Sequence, residues 1–60
     1  MTILKTIIVD DEPLALKLLA AKLKKVPNVE VIAQCSNGRE AINAVIELTP
    51  DLLFLDIQMP

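Results

Sequence analysis

Two short apolar runs that end abruptly in aspartate constrain this sequence more than any other feature. The first is Ile3 to Val9, which stops at Asp10 and Asp11, and the second is Leu52 to Leu55, which stops at Asp56. Runs of this length with few polar residues are typical of strands covered on both faces. The chain is therefore expected to carry carboxylates at the ends of two buried strands.

A first helix is predicted directly after the acidic pair. Pro13 suits the first helical position because its φ is fixed and it has no N–H, and Asp11 or Glu12 is expected to act as the cap. Pro27 ends the helix, since the residue before a proline is pushed out of the helical region. The apolar residues recur at helical spacing and define the inward face: Leu16, Leu19, Ala20 and Leu23.

The next segment has the alternation of a strand with one irregularity. Val29, Val31 and Ala33 alternate with polar residues, and Ile32 interrupts the pattern. The pattern predicts a second strand with a partly exposed face or an edge position.

A second helix follows a polar turn. Asn37 and Glu40 have the spacing of a capping box, and Thr49-Pro50 terminates the helix through the same steric effect of proline. Its expected apolar stripe contains Ala41, Ile42, Val45, Ile46 and Leu48.

The resulting β-α-β-α-β order requires parallel strands with right-handed crossovers and helices on the faces of the sheet. Residues 1–60 are expected to belong to one α/β domain without a linker. The chain is 53% hydrophobic but short, and a core this small rarely suffices without staples. We therefore expect a piece of a larger domain that forms a homo-oligomer when it is produced alone, because the third strand would have an open edge.

Composition excludes several classes of partner. The net charge is −2, which provides no electrostatic basis for direct binding of nucleic acid or an anionic membrane. Asp10 interrupts the first apolar run well before it could span a bilayer. Cys35 is the single cysteine, is expected to be a buried apolar residue, and fits a cytoplasmic chain.

The carboxylates are expected to converge at the carboxyl edge of the sheet if the first and third strands are neighbours. Gathering Asp10, Asp11 and Asp56 is unfavourable unless a cation neutralises them. Hard oxygen ligands favour Mg²⁺, or Mn²⁺, over zinc.

Three stretches resemble the receiver domain of two-component response regulators. They run from Ile7 to Pro13, from Cys35 to Ala41 and from Asp51 to Pro60, and the resemblance covers the whole chain. It implies a flavodoxin-like (CheY-like) doubly wound sheet, truncated here to strand order 2-1-3. The run from Asp10 to Ala15 resembles, more narrowly, receivers joined to LytTR-type DNA-binding domains.

The resemblance also implies roles for individual residues. Asp56 would accept a phosphoryl group from a histidine kinase, and Asp11 and Asp56 would bind Mg²⁺ directly. Asp10 would assist through water or hydrogen bonding, and the backbone carbonyl of Gln58 would complete the ligands. The chain would be a switch for a separate output domain, expected to regulate transcription, rather than an enzyme.

Other interpretations remain open at this point. An aspartate-nucleophile phosphatase needs a second carboxylate two residues after the first, where this chain has Gln58. A nucleotide- or flavin-binding module needs a loop rich in glycine or hydroxyl groups after the first strand. A receiver-like interaction module that is never phosphorylated is the third alternative. Asp10 alone could be a turn former, and Glu12 and Asp51 are expected to be solvated.

Overall fold

The computed structural model describes residues 2–56, which fold as a parallel three-stranded sheet with two helices. The elements are β1 (Leu4–Asp10), α1 (Pro13–Lys24), β2 (Val29–Cys35), α2 (Gly38–Leu48) and β3 (Leu52–Asp56). The strand order is β2-β1-β3, which confirms the predicted α/β class and strand order. Within these residues, neither helix is long and apolar enough to cross a membrane.

Strand β1 is the centre of the core. Ile7, Ile8 and Val9 have no exposed surface, and the Thr6 hydroxyl, equally buried, donates to the carbonyl of Leu4. Successive side chains of a strand point to opposite faces, so this one strand supplies the apolar surface for both helices. The prediction of a first strand covered on both faces is confirmed.

The two faces of the sheet have separate apolar clusters. On one face Ile8 packs with Leu16 and Leu23 of α1. On the other face Ile7 and Val9 pack with Ala41 of α2 and with Cys35. The helices therefore cover opposite faces, which is the predicted doubly wound arrangement.

A β-bulge explains the irregular pattern of the second strand. Thr6 pairs with Val31, but the next residue of β1, Ile7, pairs with Ala33, so Ile32 is an extra residue in β2. Before the bulge, Val29 and Val31 lie against the α1 cluster, whereas Ala33 and Cys35 lie on the α2 side. The bulge thus transfers the apolar residues of β2 from one face to the other. β2 ends the strand order, as its pattern predicted.

The prediction that β3 is buried is wrong for the described part of the chain. All five of its residues are exposed, with Leu55 reaching 60%. The stripe predicted for α2 is also only partly correct, because Ala41 is buried and Val45 packs inward while Ile42, Ile46 and Leu48 are exposed. Both elements lie beside β1 or pack on it, and no described element covers their outer surfaces.

Four of these exposed side chains line a common groove. Its volume is 370 Å³, and its apolar lining includes Ile42 and Ile46 of α2 together with Leu53 and Leu55 of β3. The sequence shows that these residues are apolar, but its periodicity does not determine whether another element covers them.

The helix ends follow their local sequence with one exception at α1. Glu12 occupies the N-cap position, as predicted, but its side chain makes no capping hydrogen bond. In the turn between α1 and β2, Asn28 adopts a φ of 69°, which asparagine tolerates better than most residues. Its carbonyl accepts a hydrogen bond of 2.7 Å from the Leu4 amide, which joins the turn to the start of β1.

Thr49 ends α2 in a conformation that is unfavourable for its residue type. It is the C-cap, with a φ of 43° and a ψ of 67°, and its amide donates to the carbonyl of Val45. The left-handed region is the usual C-terminal cap, but glycine normally occupies it because a Cβ, especially a branched one, is crowded there. The helix therefore ends at the predicted place with backbone strain at Thr49.

Replacing Thr49 with glycine is expected to stabilise the fold. The left-handed conformation costs a residue with a Cβ about 1–2 kcal/mol, and the extra flexibility of glycine in the unfolded chain offsets about half of this. The free energy of unfolding of Thr49→Gly should therefore rise by about 0.5–1 kcal/mol. Chemical denaturation of the intact protein checks this, with Thr49→Ala as the control that keeps a Cβ; an equal gain in both variants would contradict the explanation.

Candidate functional site

The carboxyl ends of β1 and β3 place two aspartates side by side. Asp10 and Asp56 are register partners at the end of five consecutive paired positions that begin with Thr6 and Leu52. Neighbouring strands lie about 4.8 Å apart, and paired residues of parallel strands share a face of the sheet. The two aspartates therefore lie side by side at this edge, as expected from adjacent first and third strands.

The two partners differ in their surroundings. Asp10 is only 6% exposed, and its Oδ1 accepts a hydrogen bond of 2.9 Å from the Glu12 amide. This bond fixes the bend before α1, but it reaches the amide of the N-cap residue itself and is not a capping bond. No side chain makes the capping hydrogen bond that was expected of Asp11 or Glu12. Asp56 is exposed and so is accessible to a molecule approaching the edge. One carboxylate is thus held in place and the other is open to solvent.

Asp11 follows Asp10 in the bend before α1 and is exposed. Among residues 2–56, no group of three or more His, Cys, Asp or Glu side chains is positioned to hold a metal ion. The expected convergence of three carboxylates is therefore not found in the described residues. Gln58, the fourth expected ligand, lies outside them. The structure places Asp10 beside Asp56, and Asp11 directly follows Asp10 in the sequence.

The donor chemistry at this edge fits Mg²⁺. Carboxylate oxygens are the hard donors that this ion prefers, and Mg²⁺ usually takes one or two protein carboxylates and keeps several waters. The β1 and β3 ends supply that number of carboxylates on adjacent strands. Strand β2 ends beside β1 at Cys35, but this thiol is buried among apolar residues of the α2 cluster.

The junction between β2 and α2 contains a variant of the predicted capping box. The Asn37 side chain accepts a hydrogen bond of 2.8 Å from the Glu40 amide, as predicted. The returning bond differs, because Oε1 of Glu40 accepts from the amide and the hydroxyl of Ser36, the residue before the cap. The residue types predicted Asn37 as the cap, but they did not predict that the Glu40 carboxylate accepts from Ser36.

The surroundings of this junction shift the pKa values of Glu40 and Cys35 in opposite directions. The backbone amide of Ser36, followed by its hydroxyl, lowers the pKa of Glu40, since both donors stabilise the ionised carboxylate. Burial, followed by the negative charge of Glu40, raises the pKa of the Cys35 thiol. Cys35 therefore stays a protonated apolar residue at neutral pH, as expected from the sequence.

Asp51 has a contact that residue patterns did not identify. It was expected to be solvated, and it is exposed, but its Oδ2 accepts a hydrogen bond of 2.9 Å from the Lys5 amide. Its own amide donates to the Lys5 carbonyl at 2.8 Å. The only signal in the sequence is the position of an aspartate directly before a predicted strand, which is also common in ordinary turns.

Comparison with known protein families agrees with this fold. The response regulator receiver domain family matches residues 6–60, and the chain belongs to that family. The family is a signalling domain and not an enzyme family. Its match includes both strands that carry the paired aspartates and the two helices between them.

Curated relatives contain the same segment within longer proteins. The chain is 53% identical over 57 residues to the transcriptional regulatory protein BtsR of Escherichia coli K12 and spans 24% of its length. It is 45% identical over 60 residues to protein-glutamate methylesterase/protein-glutamine glutaminase 2 of Carboxydothermus hydrogenoformans, of which it covers 17%. The chain thus spans about a quarter or less of these relatives.

A solved structure has the same fold. The isolated REC domain of RcsB from Salmonella enterica serovar Typhimurium, in the presence of the phosphomimetic BeF₃⁻, aligns with a TM-score of 0.89 and 27% sequence identity. The alignment covers 98% of this chain and 43% of the RcsB chain.

The hydrogen bonds to Glu40 predict a specific dependence of stability on pH. The pKa of Glu40 is lower in the folded state, so its contribution is complete above the unfolded pKa, about 4.3, and is lost as pH falls through the folded value. Glu40→Gln should therefore be less stable than the wild type at pH 7, and the difference should shrink in acid. Urea denaturation between pH 7 and pH 3 measures it, with Glu47→Gln as the control; a difference that does not change with pH would contradict the assignment.

Proposed function

We propose that residues 1–60 are the N-terminal portion of a receiver domain that accepts a phosphoryl group on Asp56 from a histidine kinase. One observation carries the proposal. Asp56 is exposed at the carboxyl edge of the sheet, directly beside the buried Asp10, in a chain that belongs to the receiver family. The edge therefore combines an accessible nucleophile with a second carboxylate held in a fixed position.

The proposed reaction is a direct displacement at phosphorus. A carboxylate oxygen of Asp56 forms the new P–O bond while the P–N bond of a phosphohistidine breaks, and the departing histidine nitrogen keeps the electron pair and is reprotonated by solvent. The product is an acyl phosphate on Asp56. Asp10 cannot readily take this role, because it is buried and bonded to the Glu12 amide.

We propose that Mg²⁺, or Mn²⁺ in its place, is bound by Asp11 and Asp56, with Asp10 assisting and the Gln58 carbonyl as a further ligand. When bound, the ion would offset the negative charge of the phosphoryl oxygens. The chemistry of the described residues supports this assignment, since the Asp10–Asp56 pair presents only hard oxygen donors. Asp10, through its bond to the α1 entry, would keep the neighbouring segment with Asp11 at the edge.

The partners follow from the same proposal. The output domain would lie outside residues 1–60 and would regulate transcription, as the name of BtsR says of that relative. An output domain of the LytTR type remains a prediction, and the relatives do not support it, because their names specify no type of DNA-binding domain. We place the protein in the cytoplasm, where a kinase domain and DNA are both accessible.

A receiver-like interaction module without phosphorylation is the alternative. Phosphoryl uptake by the intact protein distinguishes the two functions.

Self-association of the 60-residue chain on its own remains a further prediction. The exposed apolar residues of β3 and α2, among them Leu55 and Ile46 at 60% and 72%, would be covered by a second copy. Sedimentation of the isolated chain should show a species larger than the monomer, and Leu55→Lys should shift it toward the monomer. A folded monomer at micromolar concentration would contradict this prediction.

The acceptor assignment is tested by Asp56→Asn in the intact protein. With a small-molecule phosphodonor and Mg²⁺, the wild type should gain a phosphoryl group that alkali and hydroxylamine release, and the variant should lose at least about 99% of the uptake rate because an amide oxygen is a poor nucleophile. Intact mass and phosphate release measure the modification.

Glu47→Gln is the matched control, because it removes an exposed carboxylate of α2 away from the strand edge. It should behave like the wild type. Equal uptake by Asp56→Asn would move the acceptor to another residue, and no uptake by the wild type with any donor would favour the interaction module.

A further inference from the structure

The register between β1 and β3 decides whether Asp56 lies beside Asp10. The side-chain period of a strand is two residues, so a slip of one residue would move every side chain of β3 to the opposite face. Asp56 would then point toward the α2 side of the sheet, away from Asp10. The site therefore requires a feature that holds this one register.

The apolar pattern of β3 cannot supply that feature. Leu52, Leu53, Phe54 and Leu55 are apolar at both parities, so a shifted strand would present nearly the same surface to each face. All of them are also exposed in the described structure, which weakens any selection by burial. The register of a strand is poorly specified when the side chains on its two faces are alike in polarity and burial.

Hydrogen bonds at the start of the strand do distinguish the register. The Lys5 amide donates to the Asp51 carboxylate at 2.9 Å, and the Asp51 amide donates to the Lys5 carbonyl at 2.8 Å. Thr49 and Pro50 precede the strand and are not part of it. The carboxylate of Asp51 thus provides an acceptor for the β1 backbone where the ladder has not yet begun.

The effect of this anchor extends to the other end of the strand. From the pair Thr6 and Leu52 to the pair Asp10 and Asp56, the register continues without a shift. The pairing of β1 with β2, in contrast, contains the bulge at Ile32. The contact between Lys5 and Asp51 is therefore in the same register as the pair Asp10 and Asp56, five positions away.

We infer that Asp51 is a positioning residue, whose carboxylate fixes the register of β3 on β1 and so sets Asp56 beside Asp10. Its consequence for phosphoryl transfer rests on the function proposed above for Asp56. The effect on register does not depend on that function, and the two can be measured separately.

The test compares Asp51→Ala and Asp51→Asn in the intact protein. Asparagine keeps an oxygen that can accept from the Lys5 amide, whereas alanine does not. Cross-strand nuclear Overhauser effects between Asp10 and Asp56 report the register directly. They should weaken or change partner in Asp51→Ala and persist in Asp51→Asn.

Phosphoryl uptake is the second measurement. Misplacement of a reacting group by about 1 Å can cost as much as a hundredfold in rate, so Asp51→Ala should slow uptake by about tenfold or more. Asp51→Asn should recover most of the rate. Asn37→Ala is the control for general destabilisation, because it removes the α2 cap without touching the β1–β3 pair.

The possible results separate the two proposals. Unchanged cross-strand contacts in Asp51→Ala would overturn the positioning role, as would an equal loss of uptake in Asn37→Ala at the same folded fraction. If the wild type takes up no phosphoryl group, the function proposed for Asp56 fails, and the cross-strand contacts still decide the role of Asp51.

Discussion

The burial of β1 on both faces is the interaction on which the rest of this structure depends. Its central residues have no exposed surface, and it is hydrogen-bonded to β2 on one side and to β3 on the other. Ile8 packs in the α1 cluster, while Ile7 and Val9 pack in the α2 cluster. Because the hydrophobic effect scales with apolar area removed from water, this strand concentrates much of the stabilising burial of the described residues.

The same central position generates the candidate site. A strand that is buried throughout must end in polar residues where it leaves the core, and β1 does so at Asp10. Parallel pairing then brings the end of β3 to the same edge and places Asp56 beside it. The site is therefore a direct consequence of parallel topology, and its precision depends on register, which the apolar side chains of β3 do not determine.

Much of this arrangement was predictable because it depends on local patterns. The ends of α1 and α2 follow from proline, asparagine and the Asn37 cap, whose effects act within a few residues. The irregular position of Ile32 was visible as a break in alternation, but its meaning as a bulge was not. That assignment requires knowing that both faces of β2 are covered, each by a different helix.

The sequence by itself determined the element order, the parallel sheet and the presence of aspartates at the ends of two strands, because strand and helix periods are local properties of the chain. Only the tertiary structure decided that Asp10 bonds to the Glu12 amide, that Asp51 anchors β3 on Lys5, and that β3 is exposed in the described residues. These contacts join residues whose proximity depends on how whole elements pack. Hydrogen-bond partners and burial are properties of that packing, and no local pattern of residue types specifies them.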